Sequence, residues 1–198
     1  MNTILLDYQP KPRQHLYCRS SIQVLYTIAW TTPMEDAWKL NFAACSPNEL
    51  SQGGAGYVLR EHHGLFKAAR AEPLSNDFSH LEAKLVALEL GLREAIVQGI
   101  DYLEVEGHSV DAIEVAFDDK ATLVPSIRSI AHICHNHLQA FKLVKFHPVA
   151  EFANRAAMKL AEMASYEEVM QRWTIEPPPE IATILVEDMT GYWHGLYY

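Results

Sequence analysis

Hydrophobic and polar positions repeat with two different periods along this chain, and the changes of period mark out its elements. From Trp38 the stretch WKLNFAAC alternates with the two-residue period of a strand. GGAGYVLREHHGLFKAARAE reads as two more strands joined by a turn at His63-Gly64, so the first three strands are expected to form an antiparallel meander. The period then lengthens. In DFSHLEAKLVALELGLREAIVQG, Leu81, Leu85, Leu88 and Leu92 recur at helical spacing, and Gly99 supplies the stop. IDYLEVEG returns to alternation, with Leu103 and Val105 on one face and Glu104 and Glu106 on the other. Ser109 is placed to cap the next helix, with Asp111 in its first turn, where the helix dipole favours a negative charge. A further helix is expected over 124–138, then a strand in FKLVKFHPV and an alanine-rich helix in EFANRAAMKLAEMASYEEV.

The order is three strands, helix, strand, one or two helices, strand, helix. It predicts an α/β architecture: a five-stranded mixed sheet, made of the meander plus two further strands, with helices on both faces. Residues 1–36, with their proline and polar clusters and the apolar run IQVLYTIAW, read as an irregular lead-in; 37–165 read as the compact domain. After the break at EPPPE, residues 166–198 read as a C-terminal extension with a short helix and an aromatic tail, GYWHGLYY. Leu85, Leu88, Val105, Leu143 and Leu160 are the expected core.

Composition narrows the class. At 198 residues, 49% of them hydrophobic and 21% charged, the chain fits one soluble globular domain, with no run of eighteen apolar residues and no signal-peptide pattern; a cytoplasmic or nuclear location is the expectation. Cys18, Cys45 and Cys134 are odd in number and widely spaced, which argues against a disulfide framework. The formal net charge of −9 disfavours tight binding to nucleic acid, whose affinity comes largely from Lys and Arg displacing phosphate counterions.

Several stretches invite chemistry. HICHNH offers His132, Cys134, His135 and His137, but zinc wants four ligands in a tetrahedron, and on one helix only neighbours three or four apart share a face. GGAG lacks the Lys-Ser/Thr of a phosphate loop and enters a strand. Ser109, His108 and Asp111 are too close in sequence to form a nucleophile, base and orienter in line. VEGHS, at 105–109, is the most informative: a strand breaks at Gly107 and delivers His108 to a strand-to-helix turn, where several enzyme classes hold a metal through a carboxylate.

WKLNFAAC, AGYVLREHHG, LEAKLVALELGL, VEGHS and FHPVAEFANRAAMKLAEMA resemble, in order and spacing, the blocks of the plant ribonuclease-H-like family related to reverse-transcriptase elements. The resemblance spans about 30–188 and implies a ribonuclease H-like fold. It also implies cleavage of the RNA strand of an RNA–DNA hybrid by a two-metal mechanism resting on four acidic side chains. Those positions fall on Ala43, Lys84, His108 and Met158. A methyl and a thioether do not bind magnesium, an ammonium repels it, and imidazole suits zinc better. No cofactor or metal is therefore expected. The leading expectation is a catalytically inactive binding or interaction module, with an unidentified protein partner favoured over weak nucleic-acid binding and with no membrane. The alternative is a residual or altered hybrid nuclease using His108. Lys84 is expected to pair with Glu106 or another nearby carboxylate; the competing reading makes it an anion contact.

Overall fold

The computed structural model describes residues 6–8, 29–117 and 124–191. The expectations for most of the N-terminal lead-in and for the aromatic tail beyond Gly191 lie outside the described residues. The expected meander is present: β2 (Trp38–Cys45), β3 (Gly53–Arg60) and β4 (Phe66–Leu74) pair antiparallel in sequence, following a first short strand, β1 (Leu6–Tyr8). Helix α1 (His80–Val97) then crosses over so that β5 (Tyr102–Gly107) returns parallel to β2. Helices α2 (Val110–Phe117) and α3 (Pro125–Leu138) carry the chain to β6 (Leu143–Pro148), parallel to β5.

A 3-10 turn at Glu151–Ala153 leads into α4 (Arg155–Ser165), then a short strand, β7 (Gln171–Trp173), and α5 (Pro179–Thr190). The sheet order is β1-β6-β5-β2-β3-β4-β7, so the five expected strands are extended to seven by a three-residue strand at each edge. Three residues are too few to show an alternating pattern, which is why QRW and LDY carry no strand signature in sequence.

The α1 signals act as expected. Ser79 and Glu82 form a reciprocal capping box, and Gly99 ends the helix region in the left-handed conformation at φ 69°. Leu85, Leu88 and Leu92 are fully buried and meet Leu40, Phe42, Leu103 and Val105 from the sheet, together with residues of α2 and α3. Of the expected core, Leu143 is a correction: it is only half-buried, and its neighbours Val144 and Phe146 are the fully buried residues of β6.

On the opposite face α4 and α5 cover Val58, Ala69 and Ala71 through Ala156, Leu160, Ile181 and Leu185. GGAG matters here. A Cβ at Gly54 would stand 2.2 Å from the Ala161 carbonyl oxygen, and one at Gly56 2.7 Å from that of Ala157. These glycines let α4 lie directly on β3.

Candidate functional site

The four positions singled out in sequence gather at the carboxyl ends of β2 and β5. The parallel register pairs Asn41 with Glu106, so Ala43 and His108 each lie two residues beyond the last pair on neighbouring strands. The Phe42 ring lies over Gly107, where a Cβ would come within 2.5 Å of it, and Val149 N–H donates to the Gly107 carbonyl at 3.1 Å. From the other side Asn154, just before α4, donates to the Phe42 carbonyl at 2.9 Å. The strand ends and the start of α4 are thereby held together.

Within this region the four side chains divide into two groups. Ala43 is buried in an apolar cluster with Ala157 and Ala161 of α4, and the partly buried Met158 and Cys45 close it. Lys84 and His108 instead meet Asp111: Lys84 Nζ lies 3.7 Å from Asp111 Oδ1. This corrects the pairing expected with Glu106 and supports the nearby-carboxylate form of that expectation. Ser109 Oγ bonds the same Asp111 carboxylate and accepts the Ala112 N–H at 3.4 Å, the cap foreseen for α2. Burial pushes the Asp111 carboxyl up, but the Ser109 hydrogen bond and the Lys84 ammonium outweigh it and hold it below its usual range.

His108 is half-buried, and its Nδ1 is enclosed without a hydrogen-bond partner among the described residues. Burial and the Lys84 charge lower its pKa, against the opposing pull of Glu151 and Asp111, so the ring is neutral near pH 7. Glu151 is the neighbour that sequence reading missed. It is the exposed residue that opens the 3-10 turn after β6, and no periodic signal marks it.

Glu106, the carboxylate closest in sequence, shares the sheet face of Asn41 and Ala43 but is taken up by partners before the strand end. Lys39 Nζ bonds its Oε1, and Asn41 Nδ2 donates to its Oε2 at 2.9 Å. Lys39 also reaches Glu104 at 3.4 Å and the Thr31 carbonyl at 2.7 Å, while Met34 N–H donates to Glu104 at 3.0 Å. Residues 30–34 thus cross over the charged face of β5. Trp30 donates to Asn41 at 2.9 Å and stacks 3.5 Å from the Arg60 guanidinium, which burial lowers to a pKa of about 10 despite its bond to Asp188 at 3.0 Å. Arg155 binds Glu187 at 2.6 Å and Asp188 at 3.3 Å. These carboxylates are engaged in holding the fold.

The HICHNH residues diverge. Cys134 is buried with its Sγ 3.6 Å from the Leu85 carbonyl, His137 faces Glu89 at 3.9 Å, and His135 faces Gln139 at 3.4 Å. Among the described residues no group of three or more His, Cys, Asp and Glu is placed to hold a metal. A pair of hard divalent cations does not fit the donor set at 43, 84, 108 and 158, which offers no carboxylate.

A twisted mixed sheet with α1, α2 and α3 on one face and α4 on the other defines a ribonuclease H-like α/β domain. The reverse transcriptase-like family model matches residues 41–164, and the chain belongs to that family. Solved structures agree on the fold. A ribonuclease H1 from the archaeon Halobacterium salinarum is 22% identical, with a TM-score of 0.56 over 65% of this chain and 96% of its own. The N-terminal ribonuclease H domain of a Mycobacterium tuberculosis protein, solved as a fusion, is 17% identical, with a TM-score of 0.59 over 65% and 98%. A ribonuclease H1 isolated from compost is 16% identical, with a TM-score of 0.54 over 66% and 96%. A search of curated proteins found no match. No helix among the described residues is long and apolar enough to cross a membrane.

Proposed function

We propose that this chain is a degenerate, non-catalytic member of its family that serves as a binding or interaction module. The observation that carries the reading is the chemistry at the end of β2 and β5: Ala43 and Met158 belong to an apolar plug against α4, and Lys84 and His108 bring a cation and a neutral imidazole where the family resemblance calls for carboxylates. Two-metal hydrolysis needs anionic oxygen ligands that hold both ions against water. Of the two carboxylates near His108, Asp111 is taken up by Lys84 and Ser109, and Glu151 is an exposed residue of the turn after β6. The main hydrophobic core, around Leu85, Leu88 and Val105, contains none of these four positions, so the fold can persist with them changed.

One observation favours a second reading, an altered nuclease: His108 presents a neutral ring beside Glu151 and Asp111, a set able to take up a proton. Incubating the full chain with an RNA–DNA hybrid in magnesium, manganese or zinc separates the two. The expected result is no cleavage above the protein-free control. Cleavage that disappears in His108→Ala would overturn the non-catalytic reading.

A further inference from the structure

Beside the apolar plug, two loops joined by a hydrogen bond each expose large apolar side chains. We propose that loops 46–52 and 166–170 form a docking surface for a basic, amphipathic protein segment. The inference rests on the interaction-module reading and specifies the chemistry of the partner. The first loop leaves β2 directly after Cys45, and the second leaves α4 directly after Ser165. Gln52 Nε2 donates to the Glu167 carbonyl, which ties them together.

Leu50 is 88% exposed, Tyr166 67%, Val169 71% and Met170 46%. Single exposed apolar residues are ordinary, but four on two joined loops make a patch of the kind that marks a contact surface. The first loop is also preformed: Asn48 Oδ1 accepts from the N–H groups of Leu50 and Ser51 at 2.8 and 3.0 Å, and Asn48 N–H donates to the Ser51 carbonyl at 2.9 Å. A turn fixed in this way lowers the ordering cost of binding.

Charge identifies the partner. Glu49, Glu162, Glu167 and Glu168 flank the apolar groups, while 43–59 and 160–171 contain neither Lys nor Arg. Burial and then the Glu162 carboxylate push the Cys45 thiol up, which sets that carboxylate beside the end of β2. Lys159 pairs with Glu162 at 2.9 Å and offsets one charge. Phosphates would be repelled here, and a second copy of this chain would bring the same acidic rim. A helix with apolar anchors on one face and lysines or arginines on the other complements both features.

The probe is a synthetic helical peptide of leucine and lysine at amphipathic spacing, titrated into the full chain and followed by fluorescence anisotropy and backbone hydrogen exchange. Saturable one-to-one binding is expected, with new protection confined to 46–52 and 162–170. Leu50→Ser combined with Val169→Ser, and separately Glu167→Lys combined with Glu168→Lys, should each weaken binding about tenfold or more. Unchanged circular dichroism would show that both variants fold. A lysine-serine peptide of equal charge should bind about tenfold more weakly or worse. Protection elsewhere, equal affinity for the two peptides, unaffected variants, absence of binding, or self-association through this patch would each overturn the proposal. None of these outcomes alters the hybrid-cleavage result, and cleavage of hybrid would overturn only the non-catalytic reading.

Discussion

Lys39 and Glu106 form an ion pair buried to 1% and 3% exposure, and the pairing occupies the β5 glutamate nearest in sequence to His108. A buried pair repays its desolvation only while both partners are present.

Removing one partner leaves the other charge uncompensated. Glu106→Leu should lower unfolding free energy by about 3–5 kcal/mol, read from the urea midpoint. Lys39→Met combined with Glu106→Leu should cost clearly less than the sum of the single substitutions. Additive losses would show that the two groups do not act as a pair.

Helix α4 lies on β3 because Gly54 and Gly56 lack side chains. Gly54→Ala puts a methyl 2.2 Å from backbone oxygen and should cost several times the about 1 kcal/mol expected for Gly99→Ala, where φ is positive but the space is open. Thermal melting of the two variants checks the ranking. Equal losses would contradict the close approach.

Two histidines set a pH dependence. Burial lowers the pKa of His108, with Lys84 adding to the effect, and burial also lowers that of His147 against the opposing pull of Glu104 and Glu106. The unfolded chain therefore binds more protons than the folded one below the ordinary histidine pKa of about 6.5, so stability should fall as pH drops from 7 through 6.5 towards the lowered folded values. Asp188, whose carboxyl burial pushes up, acts in the opposite sense in the carboxylate range. Urea midpoints between pH 5 and pH 7.5 should drop on the acid side, and His108→Gln with His147→Gln should flatten the slope. An unchanged slope in that variant would assign the effect elsewhere.

What sequence disclosed followed from distance along the chain. The α1 stripe of Leu85, Leu88 and Leu92, the alternation in β2 and β5, and the Ser109 cap all rest on neighbours a few residues apart, and the structure shows them. The Lys39–Glu106 pair spans 67 residues, and the Arg60–Asp188 pair 128. Their composition gives no register, so β5's glutamates read simply as a polar face, although the 30–34 segment buries them. At the site, the non-acidic residues at 43, 84, 108 and 158 are legible position by position in the sequence. That Ala43 joins Met158 while Lys84 joins Asp111 required the packing of α4 and the turn into α2. The edge strand β7 pairs with β4, and its Arg172 makes a bidentate contact with Glu94, at 3.0 and 2.9 Å, which no local pattern announces.

The most direct measurement is a manganese titration of the full chain followed by paramagnetic broadening of its amide signals. The expected result is no selective broadening at millimolar manganese around residues 43, 84, 108 and 158. Saturable broadening centred on those four positions would contradict the claim that this strand end has lost its hold on divalent cations.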